Sequence, residues 1–186
     1  MRIISGKFKG KKLLLPKNKK TRPLKDLVKV SIFNLLDHSN IVGKKLKNSS
    51  ILDLFSGCGS FGLECLSRES KIVYFFENYI EAVEILEKNL SLFRNKKNFK
   101  IFKYDCFDFF NSGRKIDKKF DVIFLDPTYK EVRINKLIEQ IIEKNILNND
   151  GLMIIHRHKK DKIEITNKLK IFEVRNYGLS KVYFAN

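Results

Sequence analysis

The sequence lacks several features that would narrow its class at once. No apolar run approaches the roughly 18 residues needed to cross a bilayer, and neither an internal repeat nor a low-complexity linker is present. The basic N-terminus has no apolar segment or cleavage site of the kind that marks a signal peptide. These absences exclude a membrane span and a secretory leader, so we expect a soluble, cytoplasmic protein.

Cysteine and histidine are also rare, with three of each. Neither set has the spacing of a metal site, and an odd number of cysteines does not form a disulfide framework. We therefore expect no metal. The cysteines should be reduced, semi-buried thiols, and the histidines should lie at the surface or at a sheet edge. These residues are Cys58, Cys65 and Cys106, and His38, His156 and His158.

Acidic residues are scarce relative to basic ones. The chain has 38 lysine and arginine residues against 21 aspartate and glutamate residues, which gives a formal net charge of +17. Such a surplus favours nucleic-acid binding, because basic side chains neutralise phosphates and release counterions. An AT-rich genome would also enrich lysine without regard to function. The residues that we expect to contact nucleic acid lie in the basic N-terminal stretch: Lys7, Lys9, Lys11, Lys12 and Arg22.

The length of 186 residues and the 43% hydrophobic content fit one α/β domain with a small extension. Residues 1–15 alternate around two glycines and predict a basic β-hairpin. Apolar residues at helical spacing predict a helix from about 26 to 37. We assign this extension to residues 1–40 and the main domain to 41–186.

Strand and helix patterns alternate through the main domain. Short apolar strands separated by amphipathic helices are typical of βαβ units in a mostly parallel, doubly wound sheet. The tail is split by Tyr-Gly-Leu-Ser and predicts an antiparallel hairpin at one edge. Strands are predicted near 50–54, 72–77, 99–104, 120–125, 151–156, 169–177 and 181–185. Helices are predicted near 60–69, 79–93, 105–112, 131–145 and 160–168.

A glycine motif marks the start of this domain. Gly57, Gly59 and Gly62 form Gly-x-Gly-x-x-Gly between a predicted strand and a predicted helix. Glycine lets the backbone turn tightly and approach a ligand closely. Glu77 ends a strand 20 residues after Gly57, where a carboxylate accepts hydrogen bonds from ribose hydroxyls. The pattern predicts an adenosine-containing cofactor, and a turn required only by packing is the alternative.

Two cofactor classes fit this turn. A nicotinamide dinucleotide would place its pyrophosphate at the helix N-terminus. Asp53, at the end of the preceding strand, disfavours a pyrophosphate and favours the ammonium and sulfonium of S-adenosylmethionine. Asp105 follows another predicted strand, where it either meets the adenine amino group or caps a helix. The other residues that we assign to this cofactor site are Phe55, Asn78 and Cys106.

The segment Asp126-Pro127-Thr128-Tyr129 favours methyl transfer. It follows a predicted strand, at the edge where ligands bind in open α/β sheets. Methylation of an exocyclic amine needs two hydrogen-bond acceptors, which localise the nitrogen lone pair, and a flat surface for the base. The Asp126 carboxylate and the Pro127 carbonyl supply the acceptors, and the Tyr129 ring supplies the surface. The alternative is a strand that ends in a simple proline turn.

These residues resemble a known family. Asp-Leu-Phe-Ser-Gly-Cys-Gly-Ser-Phe-Gly with Asp-Pro-Thr-Tyr is similar to class I methyltransferases that act on amino groups. The opening Met-Arg-Ile-Ile-Ser-Gly-Lys-Phe-Lys-Gly-Lys-Lys-Leu, followed by Arg22-Pro23, resembles the RsmD family. The resemblance covers nearly the whole chain and implies a Rossmann-like fold with a seven-stranded sheet. It also implies S-adenosylmethionine as cofactor and methylation of guanine N2 in 16S ribosomal RNA.

The resemblance further implies that the N-terminal extension grips RNA and partly covers the cofactor. The expected partner is 16S rRNA within the small ribosomal subunit or a late assembly particle, and the expected state is a monomer. Three positions depart from the family pattern: Thr128 stands where a second proline is usual, Leu24 where threonine is usual, and Lys29-Val30 where Arg-Glu is usual. Without that proline, φ at residue 128 is not locked.

Three other functions stay open. The first is another amino methyltransferase, acting on DNA adenine or a protein glutamine. The second is a nicotinamide-dependent oxidoreductase, which would explain the glycines but not Asp126 to Tyr129. The third is a catalytically silent RNA-binding or assembly protein.

Overall fold

The computed structural model describes residues 1–17, 24–43, 46–93, 96–161, 163 and 169–186. The helices in these ranges are α1 (Asp26–His38), α2 (Ser60–Ser67), α3 (Ile80–Leu90), α4 (Cys106–Asn111) and α5 (Ile134–Glu143). The strands are β1 (Ser50–Asp53), β2 (Ile72–Phe76), β3 (Phe99–Phe102), β4 (Phe120–Leu125), β5 (Leu147–His158), β6 (Ile171–Tyr177) and β7 (Ser180–Ala185). A short 3-10 helix, Lys96–Asn98, precedes β3.

The strands form one sheet in the order β3-β2-β1-β4-β5-β7-β6. Strands β1 to β5 are parallel, β7 is antiparallel to β5, and β6 is antiparallel to β7. The predicted seven-stranded, mostly parallel sheet with an antiparallel C-terminal hairpin is confirmed. The strand order reverses between β1 and β4, so the C-terminal ends of these two strands are where a ligand is expected to bind.

Alternating side chains of the strands enter two hydrophobic clusters, one on each face of the sheet. Ile51 and Phe124 belong to the cluster that includes residues of α1, α2 and α3. Leu52 and Ile123 belong to the cluster that includes residues of α4 and α5. Because helices cover both faces, the strand ends are the accessible part of the sheet.

The N-terminal segment differs from the predicted hairpin of two strands. Arg2 and Lys12 form a single antiparallel bridge, and backbone hydrogen bonds join Ile3 to Lys11 at 2.9 Å beside it. Gly6 has a φ of +82°, and a Cβ there would lie 2.0 Å from the carbonyl oxygen of Ser67. The chain therefore bends closely against α2, and this bend uses the residues that would have extended the strands. The division of the chain at residue 40 stays a prediction.

Strand β5 is longer than the predicted 151–156, since it begins at Leu147 and pairs there with Phe120 before a register shift. The helix predicted at 160–168 falls largely outside the described residues. Among the described helices, none is long and apolar enough to cross a membrane. Within the same ranges, no group of three or more His, Cys, Asp or Glu residues is placed to hold a metal ion.

Candidate active site

The candidate site lies at the C-terminal ends of β1 and β4, where the strand order reverses. Asp53 is the last residue of β1 and pairs in register with Phe124 of β4. Asp126 follows β4 directly. Asp53, Gly57 and Asp126 line one pocket, with Pro16 on its wall. The fold thus brings the glycine motif and the Asp126 segment, which are far apart in sequence, into one pocket.

The three glycines of the motif have different physical roles. Gly59 has a φ of +84°, and a Cβ there would lie 2.4 Å from Cδ1 of Leu86. A Cβ on Gly62 would lie 2.2 Å from the ring of Phe75, so this glycine allows α2 to pack closely on the sheet. No atom lies within 4 Å of a Cβ built on Gly57. Packing therefore accounts for two of the glycines, whereas Gly57 faces open space where a ligand fits.

Asp53 is a buried carboxylate, 1% exposed. Its Oδ2 accepts a hydrogen bond from the backbone N–H of Gly62 at 3.3 Å. Its Oδ1 has no hydrogen-bond partner among the residues that the structure describes. Burial, reinforced by the charges of Asp126 and Glu77, raises the pKa of Asp53 to about 8. A buried carboxylate with one unsatisfied oxygen fits a cationic ligand and opposes a pyrophosphate.

Glu77 connects the end of β2 to the glycine turn. Its Oε2 accepts a hydrogen bond from the Gly57 backbone N–H at 2.7 Å. Its Oε1 accepts from the backbone N–H groups of Asn78 and Tyr79 at 3.1 and 2.9 Å. Burial raises the pKa of Glu77 despite these donors. Each carboxylate oxygen offers two lone-pair directions, so a ligand hydroxyl can still bind there.

A second pocket adjoins the first and holds the remaining residues assigned to the cofactor. Phe55 lines both pockets, and Glu77, Asn78, Asp105 and Cys106 line the second. Cys106 is 3% exposed, and burial raises the pKa of its thiol, so the thiol forms a neutral wall. The predicted cofactor residues therefore lie along one continuous cleft.

Asp105 makes both of the contacts that the sequence left open as classes. Its Oδ1 caps α4 by accepting from the backbone N–H groups of Phe107 and Asp108 at 2.7 and 3.4 Å. Its Oδ2 accepts from Nδ2 of Asn78 at 3.2 Å, beside the second pocket. The helix-cap interpretation is thus correct for one oxygen, and the other oxygen lies where an amino group of a ligand would approach.

Asp126 contacts a histidine that the sequence did not single out. The Asp126 side chain is 7% exposed, and its Oδ1 lies 2.7 Å from Nδ1 of His156. His156 is 1% exposed. The expectation of a surface or edge histidine was wrong for this residue, because β5 lies inside the sheet between β4 and β7.

The residues after Asp126 form an ordered segment beside β5. Pro127 is buried and Tyr129 is half-buried. The Tyr129 ring lies edge-on to His156 and His158, with centroid distances of 6.2 and 5.1 Å. Arg157 is buried and reaches the backbone of the same segment. Both β5 residues escaped the sequence interpretation, since each partner is about 30 positions away and no local pattern links them.

The predicted nucleic-acid contacts lie apart from the two pockets. Lys9, Lys11 and Lys12 are exposed, and Lys7 pairs with Glu69 at 2.8 Å. Arg22 lies outside the described residues. The N-terminal region nevertheless borders the site through Pro16 and Leu24, which line the pocket of Asp53 and Asp126.

A buried asparagine of α3 fixes this N-terminal border. Asn89 exchanges hydrogen bonds with the backbone of Leu14, accepting from its N–H at 2.8 Å and donating to its carbonyl at 3.1 Å. Its Nδ2 also donates to the carbonyl of Cys58 at 2.9 Å. One side chain thus connects the N-terminal segment to the glycine turn, a contact that no sequence pattern indicated.

Comparison with known proteins identifies the family. The family model described as "Conserved hypothetical protein 95" matches residues 1–186. Ribosomal RNA small subunit methyltransferase D from Haemophilus influenzae is 32% identical over 167 residues, which are 89% of this chain and 82% of that protein. The chain belongs to the RsmD family. The resemblance inferred from the sequence is confirmed.

Other members and solved structures agree with the RsmD assignment. YlbH from Bacillus subtilis, provisionally named an rRNA methyltransferase, is 32% identical over 183 residues, 98% of this chain and 96% of YlbH. A solved structure from Escherichia coli, provisionally named a methyltransferase, superposes with a TM-score of 0.83 at 21% identity. It covers 100% of this chain and 96% of its own, so it supports the shared fold.

The departures from the RsmD pattern have clear places in the structure. Leu24 is 5% exposed and forms part of the pocket wall. Lys29 is fully buried on α1, and its Nζ donates to the carbonyl of Arg2 at 2.7 Å and lies 4.0 Å from Glu64. It therefore holds the N-terminal segment against α1. Thr128 is exposed, and its carbonyl accepts from Arg157 at 2.9 Å.

Proposed function

We propose that this protein transfers a methyl group from S-adenosylmethionine to the exocyclic N2 amine of a guanine in 16S ribosomal RNA. The observation that carries the proposal is the single pocket lined by Asp53, Gly57 and Asp126 at the ends of two adjacent strands. A cation site and an amine-acceptor site beside each other are what this reaction needs. The family membership supports the same activity.

The cleft supports S-adenosylmethionine as the cofactor. When bound, this cofactor supplies an electrophilic methyl group on a sulfonium. Asp53 would bind the ammonium through its unsatisfied Oδ1, and Glu77 would accept the ribose hydroxyls. Oδ2 of Asp105, beside Asn78, would accept the adenine amino group. Phe55, Cys106 and the backbone at Gly57 and Gly59 would form the remaining walls.

The acceptor side consists of Asp126, Pro127 and Tyr129. The target guanine leaves its stack, at a cost of a few kcal/mol, and stacks on the Tyr129 ring. Its amine donates to the Asp126 carboxylate and to the Pro127 carbonyl, which localises the nitrogen lone pair. That lone pair forms the new N–C bond as the S–C bond breaks, and the surplus proton passes to Asp126 or to water. Orientation supplies much of the rate, since effective molarities reach about 10⁵–10⁸ M.

The basic N-terminal segment supports an RNA substrate. Lys9, Lys11 and Lys12 project exposed charge from a segment that borders the cofactor pocket further along the chain. Such charge binds phosphates through counterion release. We place the substrate guanine in the small ribosomal subunit or a late assembly particle, and we propose that the protein acts as a cytoplasmic monomer.

Label transfer from tritiated S-adenosylmethionine tests the proposal. Small subunits isolated from cells lacking the protein, naked 16S rRNA, DNA and total protein are offered in parallel, and the product is mapped by mass spectrometry. The proposal expects one guanine in 16S rRNA to gain one methyl group. Label on adenine or glutamine would identify a different amino methyltransferase. Bound cofactor without transfer to any acceptor would identify a catalytically silent protein, and binding of a nicotinamide dinucleotide instead would identify an oxidoreductase.

A further inference from the structure

The end of β5 contacts every functional part of the acceptor segment. Leu125, the last residue of β4, pairs with Ile155 of β5. The chain that follows β4 therefore runs beside the three residues that follow Ile155. Those residues, His156, Arg157 and His158, contact the Asp126 carboxylate, the backbone of 128–131 and the Tyr129 ring.

The contact of His156 with Asp126 fixes a carboxylate direction. Nδ1 of His156 lies 2.7 Å from Oδ1 of Asp126, with both side chains more than nine-tenths buried. A hydrogen bond at one carboxylate oxygen restricts rotation about the Cβ–Cγ bond. It therefore sets the direction of Oδ2, which matters because an acceptor must point along the N–H bond of the amine that it orients.

The contacts of Arg157 fix the backbone after Asp126. The buried guanidinium donates to the carbonyl oxygens of Thr128 and Glu131 at 2.9 and 2.7 Å, and lies 3.4 Å from that of Tyr129. Its charge is balanced by Asp161 at 2.9 Å. A buried cation is costly unless it is paired and hydrogen-bonded. Here it holds a stretch in which Thr128 and Val132 are exposed and have little packing of their own.

We propose that His156 and Arg157 are positioning residues of the acceptor site. His156 orients the Asp126 carboxylate, and Arg157 holds the backbone that carries the Tyr129 ring. This inference rests on the function proposed above for the effect on turnover, whereas the geometry that it asserts is measured without activity. It extends the acceptor site from one four-residue segment to the end of the neighbouring strand.

The test for His156 compares two amides of the same chemistry. His156→Asn places an N–H donor near the position of Nδ1, whereas His156→Gln places it one carbon further out. His156→Asn should keep kcat within about threefold of wild type, and His156→Gln should lose about tenfold or more. Both should keep the affinity for S-adenosylmethionine. Crystal structures should show the wild-type Asp126 rotamer in the Asn variant and a rotated carboxylate in the Gln variant.

Equal turnover of the two amides, or an unmoved Asp126 carboxylate in His156→Gln, would overturn the role of His156. If the wild-type protein transfers no methyl group to any RNA, the proposed function fails, and the Asp126 rotamers still decide the positioning role. The two failures are therefore distinguishable.

The test for Arg157 uses a substitution that keeps the charge. Arg157→Lys retains the pair with Asp161 but loses the planar fork that reaches several carbonyl oxygens. Amide hydrogen exchange in 128–132 should become about tenfold faster or more, with the glycine turn of 57–59 unchanged. The KM for RNA should rise while the affinity for S-adenosylmethionine stays constant. Wild-type exchange in 128–132 would overturn the role of Arg157, and so would acceleration of equal size in both segments.

Discussion

Oε2 of Glu77 accepts a hydrogen bond from the backbone N–H of Gly57 at 2.7 Å. Two residues that the sequence assigned separately to a cofactor therefore contact each other directly. The bond joins the end of β2 to the turn between β1 and α2, and it holds the turn open at Gly57. The carboxylate thus both shapes the pocket and faces it.

Replacement of Glu77 by glutamine should weaken cofactor binding. Hydrogen bonds to a charged group contribute about 1.5–3 kcal/mol, so the Kd for S-adenosylmethionine should rise roughly 10- to 100-fold. Calorimetric titration measures this change. Glu81→Gln makes the same chemical change at an exposed position on α3 and should leave the Kd unaltered. Equal affinities for the two variants would contradict the assignment of Glu77.

Asp53 should make the ligand-free protein less stable as the pH rises. Burial raises its pKa from 3.8 to about 8, so between these values the folded protein binds more protons than the unfolded chain. Stability then falls as pH increases through this window. Asp53→Asn should therefore raise the free energy of unfolding at pH 8 by about 1–3 kcal/mol, while weakening S-adenosylmethionine binding.

Urea unfolding at pH 5 and pH 8 measures this effect. Asp117→Asn, at an exposed position, serves as the matched control and should leave the pH dependence of stability as in wild type. A destabilised Asp53→Asn variant at pH 8 would show that the buried carboxylate is not under strain in the free protein.

The Tyr129 ring should contribute binding energy for the flipped base. Tyr129→Ala should cost about 1–3 kcal/mol of stacking, seen as a higher KM for RNA, with an unchanged Kd for S-adenosylmethionine. Tyr129→Phe keeps the ring and should behave as wild type. Similar KM values for the alanine and phenylalanine variants would mean that the ring does not hold the base.

The N-terminal lysines should account for part of the salt dependence of RNA binding. Reversing the charge of Lys9 and Lys12 together should reduce the slope of log K against log salt by about two, one for each lost phosphate contact. The control reverses Lys115 and Lys119, which are exposed and flank Ile116 on the other face of the sheet. Equal slopes for the two double variants would count against an RNA contact at the N-terminal segment.

Local patterns predicted most of the fold. Each strand of the sheet is a short apolar run between turn residues, and the glycine motif lies between β1 and α2, so neighbouring residues carry the information. Sequence also located Asp126 and Tyr129, because a strand end in an α/β sheet is a known ligand edge. The direction of every strand pair followed from the order of strands and helices.

Contacts between distant residues were not predictable in this way. His156 and Arg157 continue an apolar strand as polar residues, which indicates exposure, yet both are buried against a segment about 30 positions away. Glu64 is a similar case on α2, where its carboxylate accepts from the backbone N–H groups of Ile4 and Ser5 at 2.7 and 2.9 Å. No periodicity records such a pairing, so the packing of the N-terminal segment required the structure.

The most direct measurement of the central claim is single-turnover methyl transfer by the Asp126→Ala variant, together with its affinity for S-adenosylmethionine. Because the Asp126 charge raises the pKa of Asp53, its removal should not weaken the binding of a cation there. We expect transfer to fall by roughly 100-fold or more, with the Kd for S-adenosylmethionine close to that of wild type. Transfer at the wild-type rate would contradict the role of Asp126 as the acceptor that orients the amine.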